Sequence, residues 1–247
     1  MGLKLIANDV LSPWHTKVVP PVTRGLEGWF TFDSDASRFS FNRAIGKSDA
    51  AVVGAPVAYA THGRFKGLTS YLQTAIEETD EQTLIVVGKS VVAPTGAADG
   101  AFYVGNYQGN SKSPGYTGAA FGASIFHSAS TTVTGGSSRD NGSGGISSAQ
   151  VFLTGTPTTW AIRAVRTKSG VPTDVYNLTA GTKASSSSAL ARVITDTNHR
   201  IGSATGSFSG EVDISSVAIF SKYLAEDELF QLASVMRKRM ARLGISV

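Results

Sequence analysis

Cysteine is absent from this 247-residue chain. No disulfide can staple the fold, and no thiolate can serve as metal ligand, redox group or nucleophile. Charge is also scarce. Asp, Glu, Lys and Arg make up 16% of the residues, against about 25% in an average globular protein. The formal net charge of +4 is small and dispersed, which argues against a nucleic-acid partner. No apolar run approaches the roughly 18–20 residues of a membrane-spanning helix. The opening apolar residues give way at once to Asn8 and Asp9, so the N-terminus reads as lacking an export signal, and the protein is expected to be made in the cytoplasm. Histidine occurs only at His15, His62, His127 and His199, without the close pairing of a zinc site. No glycine-rich stretch is followed by Lys-Ser/Thr at a helix start, and no Gly-x-Ser-x-Gly elbow occurs, so neither a phosphate loop nor a hydrolase elbow is signalled.

Against these absences stand 27 glycines and a hydrophobic content of 41%. Turn signals recur every eight to fifteen residues or so, the rhythm of an all-β sandwich. A single domain of this kind fits the length. Residues 82–90 and 158–166 read as strong strands, the first apolar throughout and therefore central. Weaker strands are expected at 26–33, 50–57, 64–72, 102–107, 119–126, 149–153, 175–179, 189–194 and 199–202. Residues 135–145, rich in Gly and Ser, read as a long polar loop. Residues 208–220 read as a strand, with Val212, Ile214, Ser216, Ala218 and Phe220 on one face and Asp213, Ser215, Val217 and Ile219 on the other. A helix over 225–243 follows. Its stripe runs through Leu229, Leu232, Val235, Met236, Met240 and Leu243, with acids in the first turn, bases in the last, and Gly244 as the stop.

Residues 1–25 read as an arm. Leu11, Trp14, Val18 and Val19 make it too apolar to stand in water, and Pro20-Pro21 holds it extended. It is expected to pack on its own domain or on a second subunit.

The candidate chemistry is sparse. Glu211 and Asp213 alternate on one strand, as two carboxylates of a glycosidase would. The positions for a further acid hold Ser215 and Ser216, which cannot protonate a leaving group. Calcium has scattered oxygen donors at Asp33, Asp35, Asn42, Asp99, Asp140 and Asn141, equally readable as turn caps. A sugar site needs aromatic platforms and planar polar groups. Tyr103, Asn106, Tyr107 and Tyr116, together with Arg139, Asp140 and Asn141, supply both, with packing of the tyrosines on a sheet as the alternative.

Several short motifs occur in an order that resembles the laminin-G-like, concanavalin A-like lectin and glucanase superfamily. They are Gly28-Trp-Phe-x-Phe-Asp33, Trp160-Ala-Ile-Arg-Ala-Val165, Tyr176-Asn-Leu-Thr-x-Gly181, Ile201-Gly-Ser203 and Phe208-Ser-Gly-Glu-Val-Asp213. The resemblance covers roughly 26–247. It implies a two-sheet antiparallel jelly-roll sandwich over 26–223, closed by a helix over 224–247 and preceded by the arm. Glucanases of this superfamily carry Glu-x-Asp-x-(x)-Glu on one strand, so the missing second glutamate implies a chain that is no enzyme. One such domain with an apolar arm also resembles bacteriophage virion proteins. That likeness implies a head decoration or fibre, or a tail or baseplate component, with other virion proteins and copies of itself as partners. Host-surface glycans would face the exposed loops, and no cofactor is expected. A free carbohydrate-binding lectin is the alternative, and a glycoside hydrolase a further one.

Overall fold

The computed structural model describes residues 18–247. In chain order the strands are β1 (Leu26–Thr31), β2 (Ala51–Val53), β3 (Val57–Ala58), β4 (Gly63–Lys66), β5 (Tyr71–Gln73), β6 (Gln82–Ser90), β7 (Ala101–Gly105), β8 (Gly109–Asn110) and β9 (Ala119–Ala120). They continue with β10 (Ser124–Ala129), β11 (Thr132–Asp140), β12 (Ile146–Thr154), β13 (Ala161–Lys168), β14 (Val171–Asn177), β15 (Thr182–Ser185), β16 (Arg200–Ile201) and β17 (Glu211–Phe220). Among the described residues one α-helix, α1 (Glu226–Arg242), follows the strands.

Two antiparallel sheets form the sandwich. The first runs β15-β14-β13-β6-β17-β4-β3, with β1 also on β17; the second runs β12-β11-β10-β7-β16-β5-β2. The core between them holds Phe30, Phe32, Phe65, Leu84, Val86, Val104, Ile125, Val165 and Ile201. A second apolar layer lies outside the first sheet. There Leu229, Leu232, Met236 and Met240 of α1 pack on Trp29, Ile85, Val87, Ile162, Ala218 and Phe220. Strand β6 is therefore buried on both faces, as its unbroken apolar run predicts. Burying that second face is the main work of α1, since hydrophobic burial yields roughly 25 cal/mol per Å². The helix start is reinforced by Glu228, whose carboxylate accepts from the Ala225 N–H at 2.6 Å and pairs with Arg24.

Strand β17 is the seam of the fold. One edge pairs with β6 along its length. The other pairs with β4 over Glu211–Ile214 and with β1 beyond Ser216. Between these halves the register with β6 slips by a residue, and the Ser215 carbonyl accepts from the Phe32 N–H at 2.9 Å. A bulge of this kind reverses the alternation. Val212, Ile214, Val217 and Ile219 all point into the inter-sheet core, while Ala218 and Phe220 face the helix. The unbroken alternation expected for 208–220 is corrected at that point.

Other elements also differ from their sequence reading. Residues 135–140, expected in a loop, belong to β11, whose ladder with β12 runs without interruption from Thr132↔Thr154 to Asp140↔Ile146. Glycine serves close packing here: a Cβ on Gly135 would lie 2.5 Å from Val175 Cγ2, and one on Gly136 would lie 2.6 Å from the Ala149 carbonyl oxygen. The segment 64–72 divides into β4 and β5, which lie in opposite sheets. Residues 189–194 form no strand and join the rest by isolated bridges such as Arg139↔Arg192.

Leu11 and Trp14 of the expected arm lie outside the described residues. At its end Val18 donates its N–H to the Arg43 carbonyl at 3.0 Å and packs on the helix-side layer. Val19 is 76% exposed, and Val22 is buried.

Candidate functional site

The residues singled out for a sugar site separate in space. Tyr103 is fully buried, with Arg163 over its ring at 5.3 Å and His127 edge-on at 5.5 Å. Asn106 is buried and donates to Glu78 Oε2 at 3.1 Å and to the Thr197 carbonyl. Arg139 has no exposed surface. Its guanidinium donates to the carbonyls of Leu190, Lys168 and Val171 and to the Thr167 and Thr173 hydroxyls. These three present nothing to a ligand. The reason is the strand at 132–140, which turns Arg139 inward to satisfy loop carbonyls that would otherwise be buried without donors.

Tyr107 is half-buried and packs on Phe121, Phe126 and Phe208, its ring centroid 4.8 to 5.6 Å from theirs. This is the packing alternative for a tyrosine on a sheet. Tyr116 and Asp140 do lie near each other, next to the exposed Asn141. Asp140 accepts from the Gly142 N–H, and Asn141 from the Ser143 and Gly145 N–H groups, so both acceptors hold the turn between β11 and β12.

The oxygens considered for calcium have local partners. Asp33 takes Arg239, Asp35 caps Ser37, Asp99 accepts from the Thr95 and Gly96 N–H groups, and the buried Asn42 accepts from the Trp29 and Ala44 N–H groups. Among the described residues, no group of three or more His, Cys, Asp or Glu side chains gathers as a metal site.

A different constellation forms around Asp213, on the outer face of the first sheet. The ladder places Arg64 of β4 and Lys89 of β6 on either side of it. Arg64 grips both carboxylate oxygens, Nε to Oδ1 at 2.8 Å and Nη2 to Oδ2 at 3.1 Å. Lys89 Nζ stands 3.8 Å from Oδ2, and His62 Nε2 stands 3.4 Å from Oδ1. Burial would raise the Asp213 carboxyl, but His62 and Arg64 outweigh it and bring the group down to about 2.

Aromatic rings border this group. The tight connection between β3 and β4, closed by the Tyr59 N–H on the His62 carbonyl at 2.8 Å, stacks the Tyr59 ring on His62 with centroids 4.7 Å apart. Arg64 lies over Tyr59 at 4.9 Å, and Lys89 lies over Trp160 at 5.7 Å. Trp160 also meets His62 edge-on at 5.3 Å. Tyr59 is exposed and Trp160, Arg64 and Lys89 are half-exposed, whereas Asp213 is 1% exposed. The result is a half-open surface with two aromatic rings, two cationic side chains and a buried counter-ion.

Asp213, one of the two alternating carboxylates considered for a glycosidase, is thus buried and ion-paired. Its strand neighbour Glu211 is half-exposed and 3.5 Å from Lys66 Nζ, and Ser215 and Ser216 are both buried. Sequence reasoning singled out Asp213 but missed its setting. Its partners lie on β4, β6 and the entry to β13, and only the strand order brings them together.

No protein-family model and no curated protein sequence matches the chain. Solved structures do share its fold. It is similar to the binding domain of botulinum neurotoxin DC, solved in complex with SialylT (TM-score 0.58, 8% identity, covering 84% of this chain and 50% of that one). The receptor-binding domain of botulinum neurotoxin D gives a TM-score of 0.55 at 12% identity, covering 86% of this chain and 54% of that one. Trypanosoma rangeli sialidase in complex with sialic acid gives 0.60 at 14% identity, covering 90% and 36%. The chain therefore spans about half the length of the toxin domains and about a third of the sialidase. These likenesses show the two-sheet antiparallel jelly-roll sandwich fold.

Proposed function

We propose that this chain is a non-enzymatic carbohydrate-binding module, and that the surface around Asp213 holds the sugar. The observation that carries this reading is the arrangement of Tyr59 and Trp160 beside Arg64 and Lys89. Sugars present an apolar ring face with a hydroxyl rim, and aromatic rings beside fixed polar donors complement both. Asp213 holds the cations in place and leaves the local charge positive, which favours sugars bearing a carboxylate or sulfate. The SialylT and sialic acid named for the structural neighbours agree in kind with this reading. Its non-enzymatic part is supported by the bidentate grip of Arg64 on Asp213, which ties up the lone pairs a nucleophile or base would use. Two serines in place of a further acid support it too. A glycan array probed with the intact chain and with Tyr59→Ala tests the reading. Binding confined to the intact chain supports it, and a blank array for the intact chain sinks it.

A finer reading places the module on a bacteriophage particle, made in the host cytoplasm and anchored there by residues 1–25 with the jelly roll facing outward. The apolar sequence of that segment, with Leu11, Trp14, Val18 and Val19, is what supports it. Partners would then be other virion proteins and further copies of this chain. Deleting residues 1–25 should abolish incorporation into particles or oligomers while the sandwich stays folded. Undiminished assembly of the truncated chain contradicts it.

A further inference from the structure

The first large sheet ends at β15 and β3, and the second at β12 and β2. Three of these edges are blunt. Strand β3 has two residues, β2 has three, and β15 has four with Lys183 among them. Strand β1, beside β17, is flanked by Asn42 and Arg43, which bond both backbone groups of Trp29. Strand β12 is different. It has nine residues without proline or glycine, and its ladder with β11 has no bulge. From Asn141 to Ile162 the chain carries no Asp, Glu, Lys, Arg or His. Short strands, charges, prolines and bulges are what keep sheet edges from pairing with other chains, and β12 has none of them.

The ladder fixes where the free backbone groups of β12 point. Gly155 donates its N–H to the Thr131 carbonyl at 2.8 Å, and Asn141 donates to the Gly145 carbonyl at 3.0 Å. Odd-numbered residues of the two strands therefore bond each other. On the far side of β11, the even-numbered Ser138 and Asp140 donate to the Phe121 and Ala191 carbonyls. By the same alternation Ile146, Ser148, Gln150, Phe152 and Thr154 turn both N–H and C=O away from β11. Among the described residues no strand pairs with that edge. Val151 and Leu153 join the inter-sheet core, so Ser148, Gln150 and Phe152 stand on the outer face of the sheet. Phe152 is 61% exposed.

A row of unpaired donors and acceptors is complemented by another extended strand. We propose that β12 pairs antiparallel with β12 of a second copy of this chain, about a two-fold axis at Gln150. Ile146 then lies opposite Thr154, Ser148 opposite Phe152, and Gln150 opposite itself, so every outward backbone group of the strand is paired. The edge suits its own copy in particular. Without charges, no like-charged residues oppose each other across the axis, and the Gln150 amide carries both a donor and an acceptor for its counterpart. Such an interface is closed, and the short β2 at the far edge gives no second site for growth. The outer face of the first sheet stays open, so the dimer would present two copies of the surface around Asp213. The interface uses none of residues 1–25 and depends on neither reading of function.

Sedimentation of the full chain over a concentration series tests the proposal, with a monomer–dimer equilibrium expected. Gln150→Pro removes an N–H that β11 does not use, so the fold should persist, while the dimer weakens by about tenfold or more through loss of the two bonds at the axis. Phe152→Lys, at an already exposed position, should weaken it by a similar factor. The chain has no cysteine, so Gln150→Cys gives one thiol per copy. Two such residues opposed in a ladder stand about 5.5 Å apart between Cα atoms, within disulfide reach, and should oxidise to a covalent dimer. Val57→Cys, exposed on the β3 edge, should not. A chain that stays monomeric throughout overturns the proposal. So does association unmoved by both Gln150→Pro and Phe152→Lys with circular dichroism unchanged, or Gln150→Cys that cross-links no faster than Val57→Cys. Association that is lost only on deleting residues 1–25 would place the contact in that segment instead and equally overturns it. Sugar binding is measured separately, so either result can fail without the other.

Discussion

Arg64 holds Asp213 by both carboxylate oxygens, at 2.8 and 3.1 Å, across neighbouring strands that lie 149 residues apart in sequence. The pair joins the short hairpin of β3 and β4 to the seam strand β17. It also aims Arg64 at the Tyr59 ring. Fold and candidate site therefore share one ion pair.

Removing Arg64 should release Asp213 to the effect of burial. In Arg64→Met the Asp213 carboxyl, held at about 2 in the intact chain, should titrate at a clearly higher pH, as followed by carboxyl carbon NMR. In the intact protein its folded value lies below the unfolded value of about 3.9. The pair's contribution is therefore complete above pH 4 and is lost as pH falls toward 2. That contribution is on the order of 2 kcal/mol. An Asp213 titration unmoved by Arg64→Met would contradict the account.

Two buried histidines should govern stability at milder acidity. His127 and His199 lie inside the sandwich, and burial first, then nearby Arg163 for one and Arg192 for the other, lowers them to about 2 and about 3. Neither ring has a hydrogen-bond partner among the described residues. The unfolded chain takes up protons near pH 6.5 and the folded chain does not, so stability falls as pH drops below that point. Each histidine should cost about 1.4 kcal/mol per pH unit. Urea midpoints measured from pH 7 to pH 5 check this. His127→Phe should flatten the dependence, and an unchanged slope would contradict it.

Arg139 should prove structural. Arg139→Met strips donors from the Leu190, Lys168 and Val171 carbonyls and should destabilise the chain by about 3 kcal/mol, given about 1–3 kcal/mol for each buried group left unpaired. Sugar affinity of the folded fraction should stay unchanged. Denaturant unfolding and calorimetric titration on the same sample separate the two effects.

What the sequence disclosed follows from where its signals are local. Strand β6 and helix α1 are legible because their apolar residues repeat at the period of the element. The closing motif is legible for a similar reason. Phe208 fills the layer formed by Phe102 and Phe126, and Gly67 is required because a Cβ there would come within 1.7 Å of the Phe208 carbonyl oxygen. Strand β11 was hidden because Gly135, Gly136, Ser137 and Ser138 suggest a loop, and close sheet packing alone explains them. The bulge beside Ser215 was hidden because it is set by sharing one edge of β17 between β1 and β4. The aromatic and cationic surface was hidden for the same topological reason: Tyr59, Arg64, Lys89, Trp160 and Asp213 meet only once the strand order is known.

The most direct measurement is calorimetric titration of the intact chain and of Trp160→Ala with a set of neutral and acidic oligosaccharides, with the fold of both checked by circular dichroism. Trp160 is half-exposed, so sugar stacking on its ring is lost without emptying the core. The account predicts that the intact chain binds an acidic member of the set in preference to its neutral counterpart, and that folded Trp160→Ala loses most of that affinity. Equal binding by the two proteins, or preference for the neutral sugar, would contradict it.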